Sequence, residues 1–288
     1  MSLDPIIIRD IIDRALREDL GTGDVTTQSI VYDNYVTIGF IRAKEPGVVA
    51  GLGVAKEVFL HLSPEISFQA RVRDGDRVIV GQLLARVEGD AGAILSGERV
   101  ALNFLQRMSG IATRVAHLLL IIAGQKARLT DTRKTAPGLR VLDKYSVRVG
   151  GGYNHRFGLY DAILIKDNHI KVAGSISEAV SRARSRAPHT MGIEVEVESL
   201  EGVEEAIRAG AHTVMLDNMD LESMRKAVEL VKGRVLLEAS GTVNEETILD
   251  IAKTGVDLIS VGGLTHSVKS LDISLDVGEM KTIAGVII

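Results

Sequence analysis

"IEVEVESLEGVEEAIRAGAHTVMLDNMDLESMRKAVELVKGRVLLEASG", residues 193–241, alternates two kinds of segment. Short apolar runs within MGIEVEVES, AHTVMLDNM and GRVLLEASG end on polar side chains. Between them, 200–209 and 221–231 carry apolar residues at helical spacing. A strand–helix rhythm of this kind predicts a parallel sheet covered by helices. Glu196, Asp217, Glu238 and Ser260 recur 21, 21 and 22 residues apart. Such a compact repeat suits a closed or nearly closed α/β barrel, with an open doubly wound sheet as the alternative left standing.

The same rhythm extends outward. VDLISVGGL (256–264) continues it after a helix predicted over 245–254. YDAILIKDNH (160–169) and ARLTDTRKT (127–135) precede it, with a helix predicted over 175–186. Before about residue 110 the pattern differs. Apolar positions at Ile7, Ile8, Ile11, Ile12, Ala15 and Leu16 predict a helix over 4–19, stopped by the glycines of DLGTGD. Residues 35–90 read as strands between Gly- and Asp-rich turns, and 96–108 read as a helix with one broad apolar face. The predicted division is an N-terminal α+β domain over 1–110 and a barrel domain over 111–288.

Composition removes several classes. The 288 residues are 45% hydrophobic, 25% charged and contain no cysteine, which excludes disulfides and thiolate metal sites and is compatible with a reducing cytoplasm. The longest apolar run, Leu118 to Ala123, falls far short of the roughly 18 residues that a spanning helix needs. A net charge of −4 and 3% aromatics lack the basic footprint and stacking platforms of a nucleic-acid binder. VRDGDRVIVGQLLARVEG (72–89) is similar to lipoyl- and biotinyl-type modules, yet it has no lysine to modify.

Charge is nonetheless concentrated. Residues 129–171 hold eight lysines and arginines against four acids, in a chain that is acidic elsewhere. The polar residues closing the apolar runs are Arg133 and Lys134, Lys166, Glu194 and Glu196, Asp217, Glu238 and Ser240, then Gly262 and Gly263. Taken singly, Lys166 reads as a lysine extending to water at a strand edge, Arg133–Lys134 as a solvated pair, and Glu196 or Asp217 as helix caps. In a parallel barrel, however, all strand C-termini open on one face, where active sites sit. Arginine forks match carboxylates, lysine suits phosphate, and Mg²⁺ takes one or two carboxylates plus phosphate oxygens. The constellation therefore expects ligands carrying both carboxylate and phosphate groups.

The blocks ALREDLGTGDVTT (15–27), SGERVALNFLQRMSGIAT (96–113), DTRKTAPGLRVLDKYSVRVGGGYNHRFGLYDAILIKDNHI (131–170), IEVEVESLE (193–201), VMLDNM (214–219), LEASG (237–241) and ISVGGLTHSVKSLDISLD (259–276) resemble the quinolinate phosphoribosyltransferase family, nearly end to end and in the same order. The resemblance implies a hammerhead-like, β-rich N-terminal domain followed by an incomplete parallel α/β barrel, with the last residues (277–288) packing back on the N-terminal domain. It implies a Mg²⁺-dependent reaction of quinolinate with phosphoribosyl pyrophosphate, giving nicotinate mononucleotide, pyrophosphate and CO₂ in the cytoplasm.

It further implies that Arg133, His155, Arg156 and Lys166 hold the quinolinate carboxylates, joined by Arg99 from the second subunit of a homodimer, which could assemble further. Lys134, Glu196 and Asp217 would act on phosphoribosyl pyrophosphate, the two acids also meeting the metal. Ser240, Gly241, Gly262 and Gly263 would offer backbone amides to the 5′-phosphate. The alternative on the same scaffold is a pyrophosphorylase-like paralogue linked to molybdenum uptake, acting on a different carboxylate.

Overall fold

A computed structural model describes residues 3–32, 35–278 and 281–282 of the chain. It divides into two compact units, the first comprising 1–114, 136–150 and 268–288, the second 115–135 and 151–267. In the first unit, helix α1 (Pro5–Leu20) forms where the sequence predicts it. Asp4 caps it by accepting the Ile6 N–H, Pro5 pre-sets the first turn, and Ile8, Ile11, Ile12 and Leu16 face the core. Helix α2 (Val25–Ile30), strands β1 (Tyr35–Ala43) and β2 (Gly47–Val48), and helix α3 (Leu52–Leu62) follow.

Helix α3 lies inside the region read as strands. Its buried Leu52, Ala55, Val58 and Phe59 have helical spacing, and Gly51, at φ 102°, makes the left-handed turn before it. Strands β3 (Ser67–Ala70), β4 (Arg77–Val78) and β5 (Leu83–Asp90) lead into helix α4 (Ala91–Ile121), which begins before and ends well beyond the predicted 96–108. Ile111, Ala112, Val115 and Leu118 are fully buried, so the apolar face continues through 110, where the sequence reading divides the domains. Among the described residues no helix is long and apolar enough to cross a membrane.

Strand β6 (Arg128–Thr130) is the first strand of the second unit, which begins within α4, and helix α5 (Arg140–Val149) belongs to the first. The second unit continues with β7 (Ile163–Ile165), α6 (Asp167–Ala173), α7 (Ile176–Arg186), β8 (Ile193–Val197), α8 (Leu200–Ala209), β9 (Thr213–Asp217), α9 (Leu221–Val231), β10 (Leu236–Ser240), α10 (Ile248–Ala252), β11 (Leu258–Ser260) and α11 (Gly263–His266). Strands β12 (Ile273–Val277) and β13 (Lys281–Thr282) then return to the first unit, where both pair antiparallel with β1. The first unit's larger sheet runs β12-β1-β5-β3, and β2 pairs with β4. Gly278 donates its N–H to the Ile38 carbonyl at 2.8 Å, and 279–280 and 283–288 lie outside the described residues.

The second unit's sheet has the order β6-β11-β10-β9-β8-β7, and each strand is parallel to its neighbours. Laid flat, six strands would put β6 and β7 roughly 24 Å apart at the usual spacing. Yet Arg133, three residues past β6, and Lys166, directly after β7, line one cavity. The sheet is therefore curled. Strands β6 and β7 are its two ends, which makes an incomplete barrel rather than an open doubly wound sheet. Val195, Val214, Leu216, Ala239 and Ile259 are fully buried along its strands.

Candidate active site

The cavity at the C-terminal ends of the six strands has a volume of about 620 Å³. It is lined by Arg133 and Lys134 after β6, His155 and Arg156 from the glycine-rich loop, Lys166 after β7, Glu196 on β8, Asp217 on β9, and Ser240 and Gly241 ending β10. Residues scattered over a hundred positions of sequence thus converge because all but His155 and Arg156 lie at or just beyond the end of a strand whose apolar part is buried. Gly262 adjoins them. A side chain there would approach the Lys134 Cδ to 2.9 Å, so the glycine gives the lysine stem room to lie against the backbone. Gly263 is the first residue of α11. Arg99 stands apart: it is exposed on α4, in the first unit.

Local hydrogen bonds fix the cationic side. The Tyr153 N–H donates to the Leu129 carbonyl at 2.8 Å, and the Asp131 N–H donates to the Tyr153 carbonyl at 3.1 Å, so the glycine-rich loop returns alongside β6. Asp131 is fully buried and accepts from the Asn154 side-chain amide at 2.6 Å and the His155 N–H at 2.8 Å. His155 and Arg156 are thereby delivered to the mouth. On the other side of the mouth, Lys134 donates its N–H to the Thr132 hydroxyl at 3.0 Å, and its carbonyl accepts from the Thr265 hydroxyl at 2.7 Å.

Arg156 donates one guanidinium N–H, from Nη1, to the Ala162 carbonyl at 3.0 Å, while its buried Nε has no hydrogen-bond partner. Burial first, and the neighbouring Arg133 second, pull the Arg156 guanidinium below its ordinary range. Two guanidinium groups close enough to disfavour each other, at the rim of a half-dry cavity, suit an anionic ligand that relieves both.

On the acidic side, the Lys166 ammonium pairs with the Glu196 carboxylate, and Asp217 accepts from the Asn218 side-chain amide at 3.1 Å. Gly241 sits at φ 128°, and a Cβ there would come within 2.4 Å of the Asn218 Oδ1, so this turn requires glycine. Glu196 and Asp217, on adjacent strands, offer only oxygen, a donor set that suits Mg²⁺ sharing its remaining positions with phosphate and water.

Deeper in the site, His155 Nε2 lies 3.0 Å from Glu194 Oε2 and 3.8 Å from Glu238 Oε1. The three could surround an ion, but the Arg156 N–H donates to His155 Nδ1 at 2.8 Å. A neutral ring then carries its proton on Nε2, the very atom a metal would need. Burial, and then the Glu194 carboxylate, push the Glu238 carboxyl up to about 7.

Asp131, Asn218 and the pair Glu194 and Glu238 go beyond the residues assigned to the site from sequence. The signal for Glu194 was present: in IEVEVE it stands two before Glu196 and so faces the same side of the strand. Glu238 was legible as one of the regularly spaced strand-end markers, though not its task.

Comparison with known proteins adds to this geometry. Residues 24–109 match the family description "Quinolinate phosphoribosyl transferase, N-terminal domain", and 111–276 match its C-terminal domain counterpart. A Bacillus subtilis protein named probable nicotinate-nucleotide pyrophosphorylase [carboxylating] is 46% identical over 270 residues, covering 94% of this chain and 93% of its own. The crystal structure of NadC from Streptococcus pyogenes superposes with a TM-score of 0.94 at 44% identity, covering 99% of this chain and 100% of that one. The nicotinate-nucleotide pyrophosphorylase of Francisella tularensis gives 0.92 at 40% identity, over 96% and 98%.

Proposed function

The chain belongs to the quinolinate phosphoribosyltransferase family, and on that premise we propose how its barrel mouth divides the work of phosphoribosyl transfer. The enzyme is a decarboxylating pentosyltransferase of pyridine nucleotide biosynthesis. It joins the ring nitrogen of quinolinate to the ribose of phosphoribosyl pyrophosphate and yields nicotinate mononucleotide, pyrophosphate and CO₂. Relatives named quinolinate phosphoribosyltransferase [decarboxylating] favour quinolinate over the other carboxylates considered for this scaffold. The observation that carries the reading is the single cavity in which Arg133, Arg156, Lys134 and Lys166 face Glu196 and Asp217.

In the carboxylate half, Arg133, Arg156 and Lys166 receive the two substrate carboxylates, with His155 as the wall beneath them. The free Nε edge of the Arg156 guanidinium is the one available for a fork. In the sugar-phosphate half, Lys134 meets the pyrophosphate. The backbone around Ser240, Gly241, Gly262 and Gly263 takes the 5′-phosphate, as late-strand loops of barrels do. Glu196 and Asp217 orient the ribose and offset positive charge growing at C1′ as pyrophosphate leaves. Bound Mg²⁺, held by the same two acids, would neutralise the departing pyrophosphate.

Once the ring nitrogen is alkylated, its positive charge stabilises the in-plane electron pair left on C2 as the 2-carboxylate departs as CO₂, and a proton from water then completes the C2–H bond. The chain's contribution is positioning and electrostatics, with no covalent enzyme intermediate. Arg99, exposed on the first unit, completes the carboxylate half of a partner's site in a homodimer; its exposure supports an intermolecular role. The cytoplasm is the proposed place of work, a reducing compartment in which a chain without cysteine is at home. The test mixes quinolinate, phosphoribosyl pyrophosphate and Mg²⁺ and measures CO₂ and nicotinate mononucleotide. Nicotinate, which lacks the 2-carboxylate, should be turned over very poorly. Equal turnover of the two acids would sink the assignment.

A further inference from the structure

Among the described residues only two that are not glycine have a left-handed backbone, Asn218 at φ 51° and Lys232 at φ 48°. Lys232 ends helix α9, a common place for that conformation. Asn218 ends no helix. It follows strand β9 directly, next to Asp217, and lines the cavity at the barrel mouth. Outside glycine such a backbone is uncommon, and asparagine is among the few residues that tolerate it. An unusual conformation at a cavity wall points to function when its contacts say which function.

The contacts of Asn218 run in two directions. Its backbone N–H donates to the Ser240 carbonyl at 3.0 Å, adding a bond to the β9–β10 ladder in which Asp217 and Ser240 are already partners. Asparagine in a turn usually bonds the backbone two residues on. Here the side-chain amide donates instead to Oδ2 of Asp217 at 3.1 Å, which leaves Oδ1 for a ligand. The amide's oxygen lies against Gly241, where any side chain would collide with it. One planar amide therefore touches both Asp217, which serves the ribose and the metal, and the Ser240–Gly241 turn, which serves the 5′-phosphate.

Without that amide the Asp217 carboxylate turns more freely, and ordering it when a ligand arrives costs conformational entropy. If Asn218 served only to turn the chain, glycine would serve as well. We propose that Asn218 is a positioning residue for the sugar-phosphate half of the site: its side-chain amide holds the Asp217 carboxylate and packs over Gly241, presenting the acid and the phosphate-binding turn together to phosphoribosyl pyrophosphate. This rests on the transfer function proposed above.

The test compares wild type with Asn218→Gly and Asn218→Ala. Glycine keeps the left-handed backbone and the N–H to Ser240, and removes only the amide. It should melt close to wild type, yet raise the KM for phosphoribosyl pyrophosphate by about tenfold to a hundredfold, as small misplacements do. The KM for quinolinate should stay nearly unchanged. Alanine, which resists the left-handed backbone, should lose the same affinity and melt lower than glycine. Calorimetric titration with phosphoribosyl pyrophosphate and Mg²⁺, and separately with quinolinate, should show the same division without turnover. Added to Asp217→Ala, the glycine substitution should weaken phosphoribosyl pyrophosphate much less than it does alone, because the carboxylate it acts through is gone.

A glycine variant that binds phosphoribosyl pyrophosphate as wild type does, or that weakens both substrates alike, would overturn the proposal. So would losses that add in full in the double variant, or an alanine variant no less stable than glycine. Should Asn218→Ala fail to fold, the glycine variant still decides. A wild-type enzyme that makes no nicotinate mononucleotide sinks the transfer reading instead. The titration then judges Asn218: tighter binding of phosphoribosyl pyrophosphate by wild type than by the glycine variant upholds its role, and equal or absent binding ends it.

Discussion

Glu194 and Glu196 stand two residues apart on β8 and so share one side of the strand, yet their surroundings assign them different work. Glu196 meets Lys166 at the mouth, while Glu194 meets His155 below it. The difference sets up a division that mutation can read. Arg133→Ala or Arg156→Ala should raise the KM for quinolinate and leave that for phosphoribosyl pyrophosphate nearly unchanged. Glu196→Ala or Asp217→Ala should do the reverse, and titrating each ligand separately checks it. An Asp217→Ala variant that weakened quinolinate alone would place the metal half wrongly.

Glu238 also bears on stability. Its folded carboxyl is raised from 4.5 to about 7, so the stability it contributes is fully present below about pH 4.5 and is lost as pH rises through about 7. The shift corresponds to about 3 kcal/mol. Glu238→Gln removes that loss. Its melting temperature relative to wild type should therefore climb between about pH 4.5 and 7 and then level off; a constant difference would contradict the sign argued here. The cations at the strand ends were legible in sequence because each follows an apolar run. The state of Glu238 was not, since it depends on contact with a residue two strands away in the sheet.

Among the elements, the βα repeats were the most legible, because each strand must be apolar to lie in the barrel and each helix needs only one apolar face. Strands β8, β9 and β10 fall within the predicted runs. Helix α5 was not seen. Its sequence RVLDKYSVRV buries Asp143, Lys144 and Ser146, so its inward face does not read as apolar. Its polar interior is held by specific pairing: Arg107 on α4 donates to both Asp143 oxygens, at 2.9 and 2.8 Å, and the Ala136 N–H adds a third bond at 3.1 Å. Asp143 is completely buried. Arg107→Ala would leave that carboxylate without its main counter-charge, which should cost about 3–5 kcal/mol in urea unfolding. Arg107→Lys should recover only part of this, because an ammonium cannot form the fork. A loss below about 1 kcal/mol, typical of surface pairs, would mean that the clamp adds little.

At the scale of the molecule, the proposed dimer turns on Arg99. It is the ninth residue of α4, more than two turns in and so beyond the first-turn reach of the helix dipole, and it is exposed. In a two-fold dimer the same surface is used twice, so an arginine on one subunit can complete the carboxylate half on the other, and every site becomes composite. Arg99→Ala and Lys134→Ala, purified separately, should each be nearly inactive, since one removes a donated cation and the other a resident one. Co-expression should produce mixed dimers in which one site carries both lesions and the other carries neither. With random pairing about half the dimers are mixed, and half of their sites are intact, so activity should return to roughly one quarter of wild type. Mass spectrometry of the intact dimers can confirm that mixed species form. If they form and the mixture remains as inactive as its parents, Arg99 serves its own subunit or serves no site at all.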